Sequence, residues 1–333
     1  FTADEIRYLA SFPLITFEKN TGASEFGSTE AGTLAAAWAV KRINPATKVL
    51  YYRNVIVHYD GYAANALLTN IPGAMLVGRS GSDKLVRNRV QAYDLTNAKM
   101  RDWWLASANR VCTDPAIDGL FFDGNIKVLE PVYLRNEIGE KKKAGLVDAY
   151  TAMMKDARRI LGPEKLMVAN VLRARFPDSG LSAMKAFDGS YIEGFEGAVG
   201  SMSRADYVAK GMAAFQEAAR KGYLIAFTCG LGKNLQDADE TPRSEGEARQ
   251  SVESGDRFTY LLAMFLICAE KHSYVDMHDS YDAKTSKTWM THRPEFDRPL
   301  GAPKGPARFA GAQFEYCSVI ACLPGRIGLH LGG

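Results

Sequence analysis

Cysteine is scarce: five among 333 residues, with no C-x-x-C spacing, so neither a zinc ribbon nor a disulfide framework is signalled. Buried free thiols are the simplest expectation for all five, Cys112, Cys229, Cys268, Cys317 and Cys322, with a pairing of Cys317 and Cys322 across a bend as the alternative. No uncharged apolar run reaches the roughly 20 residues that span a bilayer, and the best, Leu261 to Ala269, belongs to a helix-length segment. Charge of one sign is lacking too: 41 Lys and Arg face 38 Asp and Glu, a net of +3 without a basic block, which argues against a nucleic-acid partner. The 30 Gly and 13 Pro show no fixed period, excluding collagen-like and solenoid architectures. The five His form no H-E-x-x-H cluster, so no metal or other cofactor is expected; Asp276, His278 and Asp279 are the one grouping that keeps a metal in view.

What is present is an alternation of short strand-like runs with helical periodicities. Eight runs stand out: residues 14–18, 48–53, 91–94, 119–123, 166–170, 189–193, 223–228 and 273–276. Between them, Met100, Trp103, Trp104 and Val111 recur at helical spacing, as do Leu146, Tyr150, Met153, Met154 and Ala157. The sets Val208, Met212, Phe215, Ala219 and Phe258, Leu261, Leu262, Phe265 repeat the pattern. Eight such units predict a (β/α)8 barrel, the α/β architecture that closes on that count. An open doubly wound sheet would use the same units, but the G-x-G-x-x-G turn that usually follows its first strand is absent; Phe17-Glu-Lys-Asn-Thr-Gly22 stands there instead. The barrel is expected over 1–290, with a small C-terminal β-hairpin extension over 291–333 packed on it. Three connections, 54–89, 124–145 and 230–255, are long and would rise on the C-terminal face, where barrel enzymes keep their sites.

The runs end in polar groups that a buried strand does not tolerate without partners. These are Glu18, Arg53 with Asn54, Asp94, Asp123 with Asn125, Asn170, Glu193 with Glu196, Thr228, and Asp276 with His278. One such residue signals little, since an isolated Asp or Asn commonly caps a loop; their recurrence favours a shared rim over a structural ion-pair network. Asp118-Gly-Leu-Phe-Phe-Asp-Gly-Asn125 places Asp123 directly after an apolar strand, with Gly124 allowing a tight turn. Ser190-Tyr-Ile-Glu-Gly-Phe-Glu-Gly197 presents Glu193 and Glu196 two runs later. Carboxylates facing each other across a cleft suit glycoside hydrolysis, one as nucleophile or base and one as acid. Tyr52, with Tyr51, Tyr59, Tyr62 and Tyr93, would add aromatic platforms for a sugar, although any one of them is more commonly core. The expected substrate-binding set is Glu18, Tyr52, Arg53, Asn54, Asp94, Asn125, Asn170, Asp276 and His278, around catalytic Asp123 and Glu193 with Glu196 as the substitute acid.

Phe17-Glu-Lys, the segment Lys41-Arg-Ile-Asn-Pro to Tyr52-Arg-Asn54, Tyr93-Asp-Leu-Thr-Asn97 with Arg101-Asp-Trp-Trp104, and Asp118-Gly-Leu-Phe-Phe-Asp-Gly124 resemble the hypothetical glycosyl hydrolase family numbered fifteen. A more distant similarity is to the endo-α-1,4-polygalactosaminidase-type barrels. The resemblance covers roughly residues 10–200 and implies a (β/α)8 enzyme acting on a polysaccharide, secreted or periplasmic. It also implies a retaining mechanism, with a nucleophilic Asp ending strand four and an acid/base carboxylate ending strand six, the positions that Asp123 and Glu193 take in the eight-run count. Two other readings use the same residues. A polysaccharide lyase would take Tyr52 or Tyr191 as base with Arg53 as neutraliser of a uronic acid, and a non-catalytic carbohydrate-binding barrel would keep the cleft alone. Arg53, Lys127, Arg173 and Arg175 hint at an anionic glycan.

Overall fold

The computed structural model describes residues 1–193, 195, 202–230, 255–277 and 289–297, and the backbone of short strands at 308–310, 313–315 and 331–332. Seven strands follow one another in a single parallel sheet: β1 (Leu14–Phe17), β2 (Lys48–Asn54), β3 (Gly119–Asp123), β4 (Leu166–Ala169), β5 (Gly189–Ile192), β6 (Leu224–Cys229) and β7 (Ser273–Met277). The strands β8 (Arg308–Ala310) and β9 (Gln313–Glu315) form a separate antiparallel hairpin, and β10 (Leu331–Gly332) lies parallel beside β1. The sheet order is therefore β10-β1-β2-β3-β4-β5-β6-β7. The hairpin of β8 and β9 falls within the expected extension over 291–333, most of which lies outside the described residues, while β10 joins the main sheet.

Seven of the eight expected runs are strands of this sheet. The third, residues 91–94, is not: Ala92 bridges Val57 and Tyr93 bridges Met75, both antiparallel, within the long excursion between β2 and β3. Its buried Ala92 and Tyr93 give it the composition of a strand, yet they join the core on the helix side, Tyr93 against Trp103, and bridge within the excursion rather than to a sheet strand. Asp123 accordingly ends the third strand and Glu193 follows the fifth, so the strand-four and strand-six positions do not apply. The described strands form a curled parallel sheet of α/β type.

Side chains alternate across the sheet, and each face has its own core. Leu14, Leu50, Tyr52, Phe121, Val168, Tyr191 and Ala226, flanked by Leu166, Leu224 and Tyr274, form an inner cluster fed by all seven strands. The outer face, with Ile15, Phe17, Val49, Tyr51, Phe122, Met167, Ile225, Phe227 and Val275, belongs to the larger core shared with the helices. Gly119 and Gly189 begin β3 and β5 because a Cβ there would meet the next strand's carbonyl oxygen, 2.2 Å from Leu166 and 2.4 Å from Leu224 respectively. The helices come from the expected periodicities. Met100, Trp103, Trp104 and Val111 are buried on the helix Ala98–Cys112, which Asn97 caps through the Lys99 and Met100 amides. Leu146, Tyr150, Met153, Met154 and Ala157 are the buried stripe of Glu140–Leu161. Cys112, Cys229 and Cys268 are buried free thiols, while Cys317 and Cys322 lie outside the described residues. No helix among the described residues is long and apolar enough to cross a membrane.

Candidate active site

The alternation that builds the inner cluster also builds the site. Two residues beyond Tyr52, Phe121, Val168, Tyr191, Ala226 and Tyr274 stand Asn54, Asp123, Asn170, Glu193, Thr228 and Asp276, on the same face at the C-terminal ends of their strands. Glu18 follows β1 in the same phase. These polar residues cap an apolar interior.

Asp123 is held by two donors. The Tyr52 hydroxyl donates to its Oδ2 at 2.6 Å, and Asn54 Nδ2 donates to the same oxygen at 3.1 Å. Residues Asn54 and Asp123 are register partners on β2 and β3. Asn54 is itself fixed: its Oδ1 accepts from the amides of Ile56 at 3.1 Å and Val57 at 2.7 Å, and its carbonyl oxygen accepts from Trp104 Nε1 at 2.9 Å. Gly124, at φ +78°, turns the chain directly over this amide; a Cβ there would lie 2.3 Å from Asn54 Oδ1. Tyr52 stacks on Phe121, and Phe121 meets Tyr191 edge-on, so the hydroxyl is aimed by packed rings.

Glu193 occupies another side of the rim, where its Oε2 accepts from Asn170 Nδ2 at 3.0 Å and from the Arg173 guanidinium at 3.1 Å. Arg173 is buried, so this ion pair is shielded from solvent on the arginine side. The Asn170 Oδ1 atom is buried without a hydrogen-bond partner. Asp276 is similar: Oδ1 accepts from its neighbour's amide, Met277 N, at 2.9 Å, while Oδ2 is buried and unpartnered. Burial pushes the Asp276 carboxyl up to about 7, against the opposing pull of the Met277 amide and Arg293. Buried acceptors without a partner in the fold are open to a hydrogen bond from a bound molecule.

Glu18 is almost fully buried and is paired with Lys19. Burial pushes its carboxyl up to about 7; Lys19 opposes the rise, and the charges of Asp123 and Glu193 add to it. The Lys19 ammonium lies 5.5 Å from the Tyr52 ring centre and 5.2 Å from that of Tyr59. Lys19 carried no role in the sequence reading. Neighbours on a strand point to opposite faces, but the chain leaves β1 at Phe17 and turns, with Thr21 N bonded to the Glu18 carbonyl oxygen at 3.2 Å. That turn returns Lys19 to the side of Glu18, and a charged pair immediately after a strand is the signal that would have indicated it.

The rest of the expected set divides. Arg53 alternates with Tyr52 and Asn54 and so faces the helices: it is buried against the rings of Tyr62 at 4.7 Å, Trp104 at 5.3 Å and Trp103 at 5.5 Å, and donates to Ser107 Oγ at 3.0 Å. It is not on the rim. Asp94 orders its own loop, accepting from Thr96 N at 3.0 Å and Lys142 Nζ at 2.6 Å. Asn125 is wholly buried, donating to the Phe122 carbonyl oxygen at 2.6 Å and accepting from Tyr150 at 2.7 Å. Arg175 pairs with Glu130 at 2.9 Å and Lys127 is buried over the Tyr133 ring. All four bases that hinted at an anionic glycan are therefore engaged by protein groups. His278, Asp279 and Glu196 lie outside the described residues, and with them the grouping that kept a metal in view.

Among solved structures, the chain is similar to the glycoside hydrolase domain of PelA from Pseudomonas aeruginosa, at 15% identity over 70% of this chain and 82% of that one, with a TM-score of 0.46. It is also similar to α-L-fucosidase isoenzyme 2 from Paenibacillus thiaminolyticus, at 14% identity over 83% of this chain and 43% of that one, with a TM-score of 0.51. The latter likeness is one of fold. A search of curated protein sequences returns no match. The model of hypothetical glycosyl hydrolase family 15 matches residues 41–317, a span that includes Asp123, Asn170, Glu193 and Asp276, and the chain belongs to that family.

Proposed function

We propose that this glycosidase cleaves a polysaccharide or oligosaccharide by a retaining, two-carboxylate mechanism with Asp123 as the nucleophile. The observation that carries the proposal is the pair of donors on one oxygen of Asp123, Tyr52 at 2.6 Å and Asn54 at 3.1 Å, which orients the carboxyl and leaves Oδ1 for the anomeric carbon. Glu193 takes the acid/base role: it protonates the leaving oxygen in the first step and, as the carboxylate, deprotonates the attacking water in the second. Asn170 Oδ1 and Asp276 Oδ2, both buried acceptors, bind sugar hydroxyls. Closure of the sheet into a (β/α)8 barrel belongs to the same reading, supported by the inner cluster from all seven strands and by β10 against β1. An exported location rests on the family resemblance alone.

A lyase using Tyr52 with Arg53 is disfavoured, because the two side chains leave opposite faces of β2 and the Tyr52 hydroxyl is committed to Asp123. Proton NMR of the first-formed sugar tests the stereochemistry: the anomer of the substrate supports a covalent intermediate on Asp123, and the inverted anomer refutes it.

A further inference from the structure

A general acid must hold its proton before the glycosidic bond breaks. The two carboxylates assigned above each accept hydrogen bonds from two protein donors. Asp123 receives hydrogen bonds from Tyr52 and Asn54, and Glu193 from Arg173 and Asn170. Glu18 differs. Its carboxyl is buried at the end of β1, and among the described residues Lys19 is its only hydrogen-bond donor. Phe17 and Tyr51 are register partners, Glu18 and Tyr52 are the next residues on the two chains, and the Tyr52 hydroxyl donates to Asp123.

From this placement we infer that Glu18 is a third catalytic carboxyl, which protonates the leaving glycosidic oxygen. The inference rests on the two-carboxylate reading and divides its acid/base role. In the first step the Glu18 carboxylic acid gives its proton to the leaving oxygen as the bond from that oxygen to the anomeric carbon breaks and Asp123 forms the ester. Glu18 becomes a carboxylate, compensated by Lys19. In the second step Glu193 accepts the proton of the water that displaces Asp123 and releases it to solvent, and Glu18 regains a proton from solvent, so both carboxyls return to their starting forms. The charged and titratable groups around Glu18 are Lys19, Asp123, Glu193 and the hydroxyls of Tyr52, Tyr59 and Tyr62. Burial, with Asp123 and Glu193, raises the carboxyl against Lys19 to about 7, where it is substantially protonated under neutral conditions.

Two substrates separate the roles: the polysaccharide found by screening, whose leaving sugar needs a proton, and the 2,4-dinitrophenyl glycoside of the same sugar, whose leaving group needs none. Glu18→Gln is expected to lose on the order of a hundredfold or more on the polysaccharide, the usual size of general-acid catalysis, and to stay within about tenfold of wild type on the dinitrophenyl glycoside. Equal loss on both, or full activity on the polysaccharide, overturns the inference. Should Glu18→Gln not fold, Lys19→Met decides: removing the ammonium that opposes Glu18 protonation moves the alkaline limb of kcat/KM to higher pH, and a limb that stays or falls overturns it. Wild-type protein inactive on both substrates refutes the two-carboxylate reading and this inference together. Active wild type with an unselective Glu18→Gln refutes this inference alone.

Discussion

Gly124→Ala should destabilise the protein far more than Gly27→Ala, although both glycines adopt nearly the same backbone. Gly124 has φ +78° and ψ 3°, and Gly27 has φ +81° and ψ −11°. Each substitution carries the strain of a left-handed residue with a Cβ, roughly 1–2 kcal/mol. Around Gly27 a Cβ meets nothing within 4 Å, so strain is the whole effect. At Gly124 the Cβ would sit 2.3 Å from Asn54 Oδ1 and 3.0 Å from its Cγ and Nδ2, which forces the amide to move. Ile56 N and Val57 N then lose their acceptor. Stranding buried donors costs about 1–3 kcal/mol each, so the excess of Gly124→Ala over Gly27→Ala should be at least about 2 kcal/mol. Urea denaturation followed by circular dichroism, compared at equal m-values, measures it. The displaced Asn54 also releases Asp123, so cleavage falls in the folded Gly124→Ala protein and not in Gly27→Ala. Equal denaturation midpoints for the two variants would refute the reasoning.

Asp276→Asn changes the pH dependence of stability. An Asp carboxyl raised by burial to about 7 binds its proton in the folded chain where the unfolded chain, with an ordinary value of 3.8, has lost it. Its contribution is fully present below pH 3.8 and is lost as pH rises through 7, so wild type should lose more stability than Asp276→Asn between pH 4 and pH 8 in denaturant titrations. A steeper loss in the variant contradicts this. Arg53→Ala empties a large buried side chain and should lower stability by about 3 kcal/mol while leaving KM unchanged, because the guanidinium faces the helices. A raised KM with unaltered stability would return Arg53 to the site.

Much of this site was legible because period-two alternation in a strand is visible in the sequence. Once 119–123 and 189–192 are read as strands, Asp123 and Glu193 fall on the same face as Phe121 and Tyr191. The same alternation excludes Arg53 from the rim although it adjoins Asn54 in sequence; phase, not proximity, decides the face. Residues 91–94 misled because a buried Ala and Tyr bridging within a loop have the composition of a sheet strand, and composition does not reveal which strand a segment pairs with. Counting 91–94 as a sheet strand places every later strand one position too far along. Asp94 and Asn125 were polar residues at segment ends with local work to do: a loop held by Lys142, and a turn held by Tyr150. The pairing of Glu193 with Arg173 depends on where two loops converge, which sequence spacing does not encode.

The release of new reducing ends from a panel of neutral, amino-sugar and acidic polysaccharides, by wild type and by Asp123→Asn, tests the central claim most directly. Wild type should release them from at least one glycan, and Asp123→Asn, with an unchanged circular dichroism spectrum and cooperative melting, should release none. Cleavage by folded Asp123→Asn at the wild-type rate would contradict the account.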